Sequence, residues 1–175
     1  MASLCQDFSV QSTERPTLRP PANLVARRAI GYWTLRALPA WLVLTAVQII
    51  WWVNDTSQAT VHAIVFVIVS LVAIAHLVVM PQWRYRVHRW ETTDQAVYTQ
   101  TGWFTQERRI APISRIQTVD MHRGPFERIF RLANVTVTTA SAAGPIRIHA
   151  LDLDVAQRLV DDLTTITQAS EGDAT

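Results

Sequence analysis

The sequence predicts a two-helix membrane hairpin followed by a small α+β domain. Three observations carry that prediction. Residues 37–53 and 61–80 are apolar stretches that contain no Asp, Glu, Lys or Arg. Only seven residues, Asn54-Asp55-Thr56-Ser57-Gln58-Ala59-Thr60, separate them. From Trp83 onward the apolar runs give way to short segments of period two, followed by one segment of helical period.

The helices come first. A membrane-spanning helix needs about 20 mostly apolar residues. The second stretch meets this alone, and the first meets it once residues 32–36 flank it, giving spans of about 33–53 and 61–80. The linker is too short to cross back, so everything after Met80 lies on the same side as the N-terminus. Arg15, Arg19, Arg27, Arg28 and Arg36 precede the first helix and Arg84, Arg86 and Arg89 follow the second, whereas the linker carries Asp55 and no basic residue. Basic residues collect on the cytoplasmic side of short loops. The expected placement is therefore a multi-pass protein of the cytoplasmic (inner) membrane with both termini in the cytoplasm. Trp33, Trp51, Trp52 and Trp83 fall near the predicted helix ends and fit the headgroup zone as anchors.

Residues 1–22, rich in Ser, Thr, Gln and Pro, show no apolar period and read as a disordered cytoplasmic tail. The apolar region begins too late and runs too long for a signal peptide. Residues 23–32 read as lying along the inner surface or opening the first helix. The lone cysteine, Cys5, excludes an internal disulfide. The chain has 175 residues and a net charge of only +2, so its charge is local rather than global; all sixteen basic residues are Arg, which fits a compositional bias.

The soluble part is expected over residues 81–168, with 169–175 as a second tail. Residues 83–87 alternate apolar and basic, the period of a strand with one wet face. Residues 96–100 and 103–110 read as a hairpin turning at Thr101-Gly102. Residues 115–121 alternate weakly, with Gln117, Val119 and Met121 on one side. Residues 134–139 place Val135 and Val137 inward, and 145–150 do the same with Ile146 and Ile148. Between strands, Gly124-Pro125 opens a short helix with Phe126, Ile129 and Phe130 on one face, Pro being tolerated in the first helical turn. Residues 154–168 form an amphipathic helix. Asp154 and Gln157 stand at capping-box spacing, and Val155, Leu159, Leu163 and Ile166 form the apolar stripe opposite Arg158, Asp161 and Asp162.

The run Arg108-Arg109-Ile110, Ile113, Arg115-Ile116-Gln117-Thr118-Val119, Gly124-Pro125, Arg128-Ile129-Phe130, Leu132 and Val135-Thr136-Val137-Thr138-Thr139-Ala140 to Gly144 resembles the bacterial pleckstrin-homology-like domain of YdbS-type membrane proteins. The layout of tail, two helices and one domain resembles that family too, over roughly residues 20–168. The resemblance implies a PH-like, strongly bent antiparallel sheet or barrel of seven strands, capped by the C-terminal helix. The family usually carries Gly where this chain has Arg131, a position suited to a left-handed turn. The resemblance implies roles at the membrane and envelope and no particular chemistry.

Several residue groups are candidates for function. Arg84, Arg86 and Arg89 stand where anionic headgroups lie, although helix-flanking arginines are expected on topological grounds alone. The loop with Glu91 and Asp94 is acidic and does not suit phosphoinositides. Arg108, Arg109, Arg115 and Arg128, with Arg123 and Arg131, form a mid-domain group. It reads as a docking face for an acidic partner or the bilayer, or as a solvated surface paired with Glu107 and Glu127. In the second helix, His62 and His76 lie about 21 Å apart along the axis and cannot share a metal. His62 is expected at the outer interface. His76 is expected to hydrogen-bond Gln48 or Thr45, or a neighbouring subunit. His88, His122 and His149 lack metal-ligand spacing. Ser141, His149 and Asp152 could be assembled into a hydrolytic set, but no nucleophile elbow supports it.

The expectation is a non-catalytic protein without cofactor whose domain serves as a protein-interaction or assembly module. The partner would be another membrane protein, including a larger relative with several such domains; homo-oligomers are compatible and nucleic acid is not expected. The alternative is a module that senses or binds anionic lipid through Arg84, Arg86 and Arg89. A hydrolase or transporter is the third reading, and two helices without a catalytic set favour it least.

Overall fold

The computed structural model describes residues 20–102, 105–141 and 144–172. Helices α1 (Ala29–Asn54) and α2 (Ala59–Val87) pack against each other as a hairpin. At 1.5 Å per residue they measure about 39 and 43 Å, longer than a ~30 Å hydrocarbon core. Leu42, Val47 and Ile50 on α1 and Ile64, Val67, Ile68 and Leu71 on α2 are exposed. Core helices of a water-soluble protein would bury such residues, so these surfaces suit lipid.

Among the described residues the remaining elements are seven strands, two α-helices and a 3₁₀ turn. Strands β1 (Asn23–Leu24), β2 (Arg89–Thr92), β3 (Ala96–Gly102) and β4 (Gln106–Pro112) form one antiparallel sheet in that order. A single 3₁₀ turn, Ile113–Arg115, leads into β5 (Ile116–His122), which pairs in a second antiparallel sheet with β6 (Leu132–Thr139) and β7 (Ile146–Asp152), in the order β5-β6-β7. Between β5 and β6 lies α3 (Pro125–Ile129), and α4 (Leu153–Gly172) closes the chain. The backbone N–H of Ala26, just after β1, donates to the carbonyl of Ala150 in β7 at 3.0 Å and joins the two sheets at one corner. Val97, Val135, Val137 and Ile148 line the space between the sheets, and Leu159 and Leu163 of α4 cover it.

Both sheets follow the chain order, yet β1 and β2 are separated in sequence by the whole hairpin. The strand before the hairpin and the strand after it are neighbours: Asn23 pairs with Trp90 and Leu24 with Arg89. The hairpin is thus inserted between β1 and β2 of the soluble fold. Residues 23–24 thus pair within the soluble fold, and Ala29 opens α1. The last residues assigned to the N-terminal tail are tied to that fold too, since Pro21 accepts from Arg89 Nη1 at 3.4 Å and Ala22 N–H donates to Glu91 Oε2 at 3.0 Å.

Other differences follow from local physics. The segment 83–87 is the last part of α2 rather than a strand. Five alternating residues cannot distinguish the two states, and Arg84 and Arg86 in the final turn complement the negative end of the helix dipole. The first hairpin turns beyond Gly102, which still pairs with Gln106. Gly102 has φ +126, and a Cβ there would stand 1.9 Å from the Thr105 carbonyl oxygen. Trp103 and Phe104, expected to begin the next strand, lie outside the described residues. In β5 a register shift between Ile116 and Thr118 resets the alternation. Ile116 is buried and Val119 half-buried, while Gln117 and Met121 face outward. Helix α4 begins at Leu153, so Asp154 sits inside its first turn rather than capping it, and the backbone stays helical through Gly172. In β6 and β7 the inward residues are those the alternation predicts.

Candidate functional site

A second apolar cluster stands apart from the core between the sheets. It brings Val25, just after β1, and Ala29, Tyr32 and Trp33 at the start of α1 against Leu132 and Ala150, with Phe130, Tyr85 and Trp90 at its edge. This is the junction between hairpin and domain. Trp33, expected as a headgroup anchor, is 4% exposed here, whereas Trp51 and Trp83 remain exposed. The Arg84 guanidinium lies 5.0 Å from the Trp33 ring centroid, and the His88 ring lies 5.3 Å from it. His88 Nδ1 is 2.8 Å from the Arg84 carbonyl, which makes it the protonated nitrogen of the neutral ring. Burial, reinforced by the charge of Arg84, lowers the His88 pKa to about 4 even though that hydrogen bond opposes the shift.

Glu127 of α3 is the polar centre of the junction. Tyr32 Oη donates to its Oε1 at 2.9 Å and Asn134 Nδ2 donates to the same oxygen at 3.2 Å, while Arg36 Nη1 donates to Tyr32 Oη at 3.1 Å. Burial alone would raise the Glu127 pKa. The hydrogen bonds from its own backbone, Tyr32 and Asn134, with the charge of Arg36, outweigh it and hold the carboxylate below its ordinary value. Asn134 Oδ1 in turn accepts from the Ala150 N–H at 2.9 Å, where β7 turns with φ 58. The signal for this network, a Tyr, a Glu and an Asn far apart in sequence, has no local pattern.

The arginine groups read from the sequence are dispersed. Arg84 is half-buried in the junction, Arg86 is exposed, and Arg89 is tied to Pro21 from within β2. Arg109 Nε donates to Glu107 Oε1 at 2.6 Å and its Nη1 to Pro145 at 3.3 Å. Arg115 precedes β5, whereas Arg123, Arg128 and Arg131 follow it around α3, and a seven-residue strand separates these sets by about 20 Å. Arg123 Nε donates to the Leu132 carbonyl at 3.1 Å. Arg131 has φ 54, the left-handed conformation that its family position implied.

Within the hairpin, His76 Nδ1 accepts from Trp41 Nε1 at 3.1 Å; Trp41, not Gln48 or Thr45, is its partner. Gln48 is 6% exposed, and neither atom of its amide has a hydrogen-bond partner among the described residues. His62 is 1% exposed, edge-on to Trp51 at 4.6 Å, with Nε2 3.6 Å from Asp55 Oδ2. Ser57 donates to Asp55 from its hydroxyl and its N–H, and these bonds lower the Asp55 pKa.

One cleft escaped the sequence reading. Thr99, Thr101, Glu107, Arg109, Arg147 and His149 line about 330 Å³ between β3–β4 and β7. His149 is held below its ordinary pKa by burial and by the charges of Arg84 and Arg147. Asp152 reaches Arg28 at 4.0 Å. Among the described residues no three His, Cys, Asp or Glu side chains converge on a metal position.

A bent, two-sheet barrel closed at one corner and capped by a C-terminal helix is a PH-like architecture, and the family model for the bacterial PH domain matches residues 25–165. The chain belongs to the bacterial PH domain family. The match begins inside the segment that precedes α1 and runs through the hairpin into α4, so it covers the junction as well as the barrel. The chain is also 26% identical over 164 residues to the UPF0699 transmembrane protein YdbS of Bacillus subtilis (strain 168), covering 87% of this chain and 97% of that protein. No solved structure matches it significantly. The chain thus resembles a transmembrane protein over most of its length, and its two apolar helices are long enough to cross a membrane.

Proposed function

We propose that this protein is a non-catalytic assembly module of the cytoplasmic membrane, presenting its PH-like domain on the cytoplasmic side to another membrane protein. The observation that carries the reading is the insertion of the hairpin between β1 and β2. Two neighbouring hydrogen-bonded strands lead into and out of the membrane, and the junction packs Trp33, Tyr32 and Phe130 around them. A domain mounted this way keeps one attitude relative to the bilayer, which suits repeated docking to a partner fixed in the same membrane. Strand β4 lies at the outer edge of its sheet, and Ile110 on it is 46% exposed. An open edge with an apolar residue can accept a partner's strand or loop.

The test is site-specific photocrosslinking in intact membranes from position 110, with Asp161 on the solvent face of α4 as control. A discrete protein adduct from position 110 and none from 161 is expected; equal or absent adducts would remove the docking reading. The orientation is checked in intact cells with a membrane-impermeant maleimide. Ser57→Cys should label from outside and Thr93→Cys should not, and the reverse pattern would overturn the cytoplasmic placement.

A further inference from the structure

We infer that α3 is a second membrane contact, a short wedge whose Phe126 and Ile129 embed in the headgroup layer of the leaflet that the hairpin enters. On this five-residue helix Ile129 is 70% exposed and Phe126 is 47% exposed. They are three residues apart and share a face. The adjacent face is spoken for: Glu127 bonds Tyr32, and the Phe130 ring lies 3.1 Å from where a Cβ on Gly31 would stand. These contacts hold α3 against the first turns of α1.

That fixes its depth. The uncharged span of α1 begins directly after Arg36, whose guanidinium bonds Tyr32 one turn earlier. Tyr32 therefore lies about 6 Å outside the level of Arg36. The zone between hydrocarbon and water is about 5–8 Å thick on each side. Helix α3, docked beside Tyr32, is at headgroup depth, and its outward apolar pair meets lipid rather than bulk water. The charge pattern agrees with that occupant. Arg128 and Arg131 are exposed on and after the same helix, an arrangement in which apolar residues insert while basic ones meet anionic headgroups. The inference needs only that the hairpin spans a membrane and stands whether or not β4 docks a protein.

The experiment uses the full chain with Cys5→Ser, reconstituted in phosphatidylcholine vesicles containing a minority of phosphatidylglycerol. Single cysteines at Ile129, at Phe126 and, as control, at Asp161 carry an environment-sensitive fluorophore. Lipids brominated near the headgroup end of the acyl chain should quench the labels at 129 and 126 at least about twofold more than the label at 161, as expected for interfacial burial. An aqueous quencher should show the opposite order. Omitting phosphatidylglycerol should weaken the lipid quenching, and Arg128→Glu should do the same without touching the apolar pair. Labels at 129 and 126 as accessible to water as that at 161 would overturn the inference. Labels shielded from water but not quenched by lipid would also overturn it and would assign the face to a protein partner or a second copy.

Discussion

Acidification should loosen the junction between hairpin and barrel, and His88 sets the pH range. The ring is 3% exposed, packed on Trp33, with Arg84 beside it. Its pKa is about 4 in the folded protein against 6.5 for the free side chain. Because the folded value is the lower one, the unfolded chain binds the proton more readily. The contribution is complete above about pH 6.5, falls as pH drops toward about 4, and is exhausted below it. A difference of this size corresponds to about 3 kcal/mol, or roughly 300-fold in an opening equilibrium. His149, also held low by burial, adds to the same acid slope. The assay is amide hydrogen exchange of Arg89–Thr92 and Ala96–Gly102 in the reconstituted protein, corrected for intrinsic rates, across this pH range. Wild-type protection should fall by up to about 300-fold. In His88→Leu most of that slope should vanish, on a baseline lowered by about 1 kcal/mol for the lost ring hydrogen bond, the Arg84 carbonyl still accepting from the backbone N–H of residue 88 at 3.0 Å. A variant that keeps the full slope, or a wild-type His88 ring titrating near 6.5, would refute the reasoning.

Other perturbations test separate parts of the structure. Arg131→Gly should raise the thermal midpoint by a few degrees. A left-handed non-glycine residue costs about 1–2 kcal/mol and glycine returns about 0.5–1 of this through its unfolded entropy; an unchanged or lower midpoint would count against strain at φ 54. Glu127→Ala strands the hydroxyl of Tyr32 and the amide of Asn134, so exchange should quicken around α3 and the first turn of α1 by an amount equivalent to about 1–3 kcal/mol, with α4 unaffected. Leu163→Ala, at a side chain 1% exposed in the barrel core, should cost about 2–5 kcal/mol in denaturant unfolding while leaving the hairpin helical by circular dichroism.

The sequence by itself determined the hairpin, the inward faces of β6 and β7 and the amphipathic closing helix. Each depends on transfer free energy or periodicity, and a run such as 61–80, or Val135 and Val137, carries that signal within one turn or one pleat. The family resemblance supplied the left-handed turn at Arg131, because the conformation there is dictated by the residues on either side of it. The tertiary structure decided the rest. A two-residue strand such as Asn23–Leu24 has no period of its own and exists only because Arg89 and Trp90 lie beside it, beyond the whole hairpin. The fate of residues 83–87 depended on whether α2 could run on to meet that junction. Candidate-site residues were the least legible. Arg115 and Arg123 came to opposite ends of β5, whereas Tyr32, Glu127 and Asn134, which share no motif, were brought into one hydrogen-bonded group. Pairing across long stretches of chain is set by the packing of the whole, and no local window of sequence contains it.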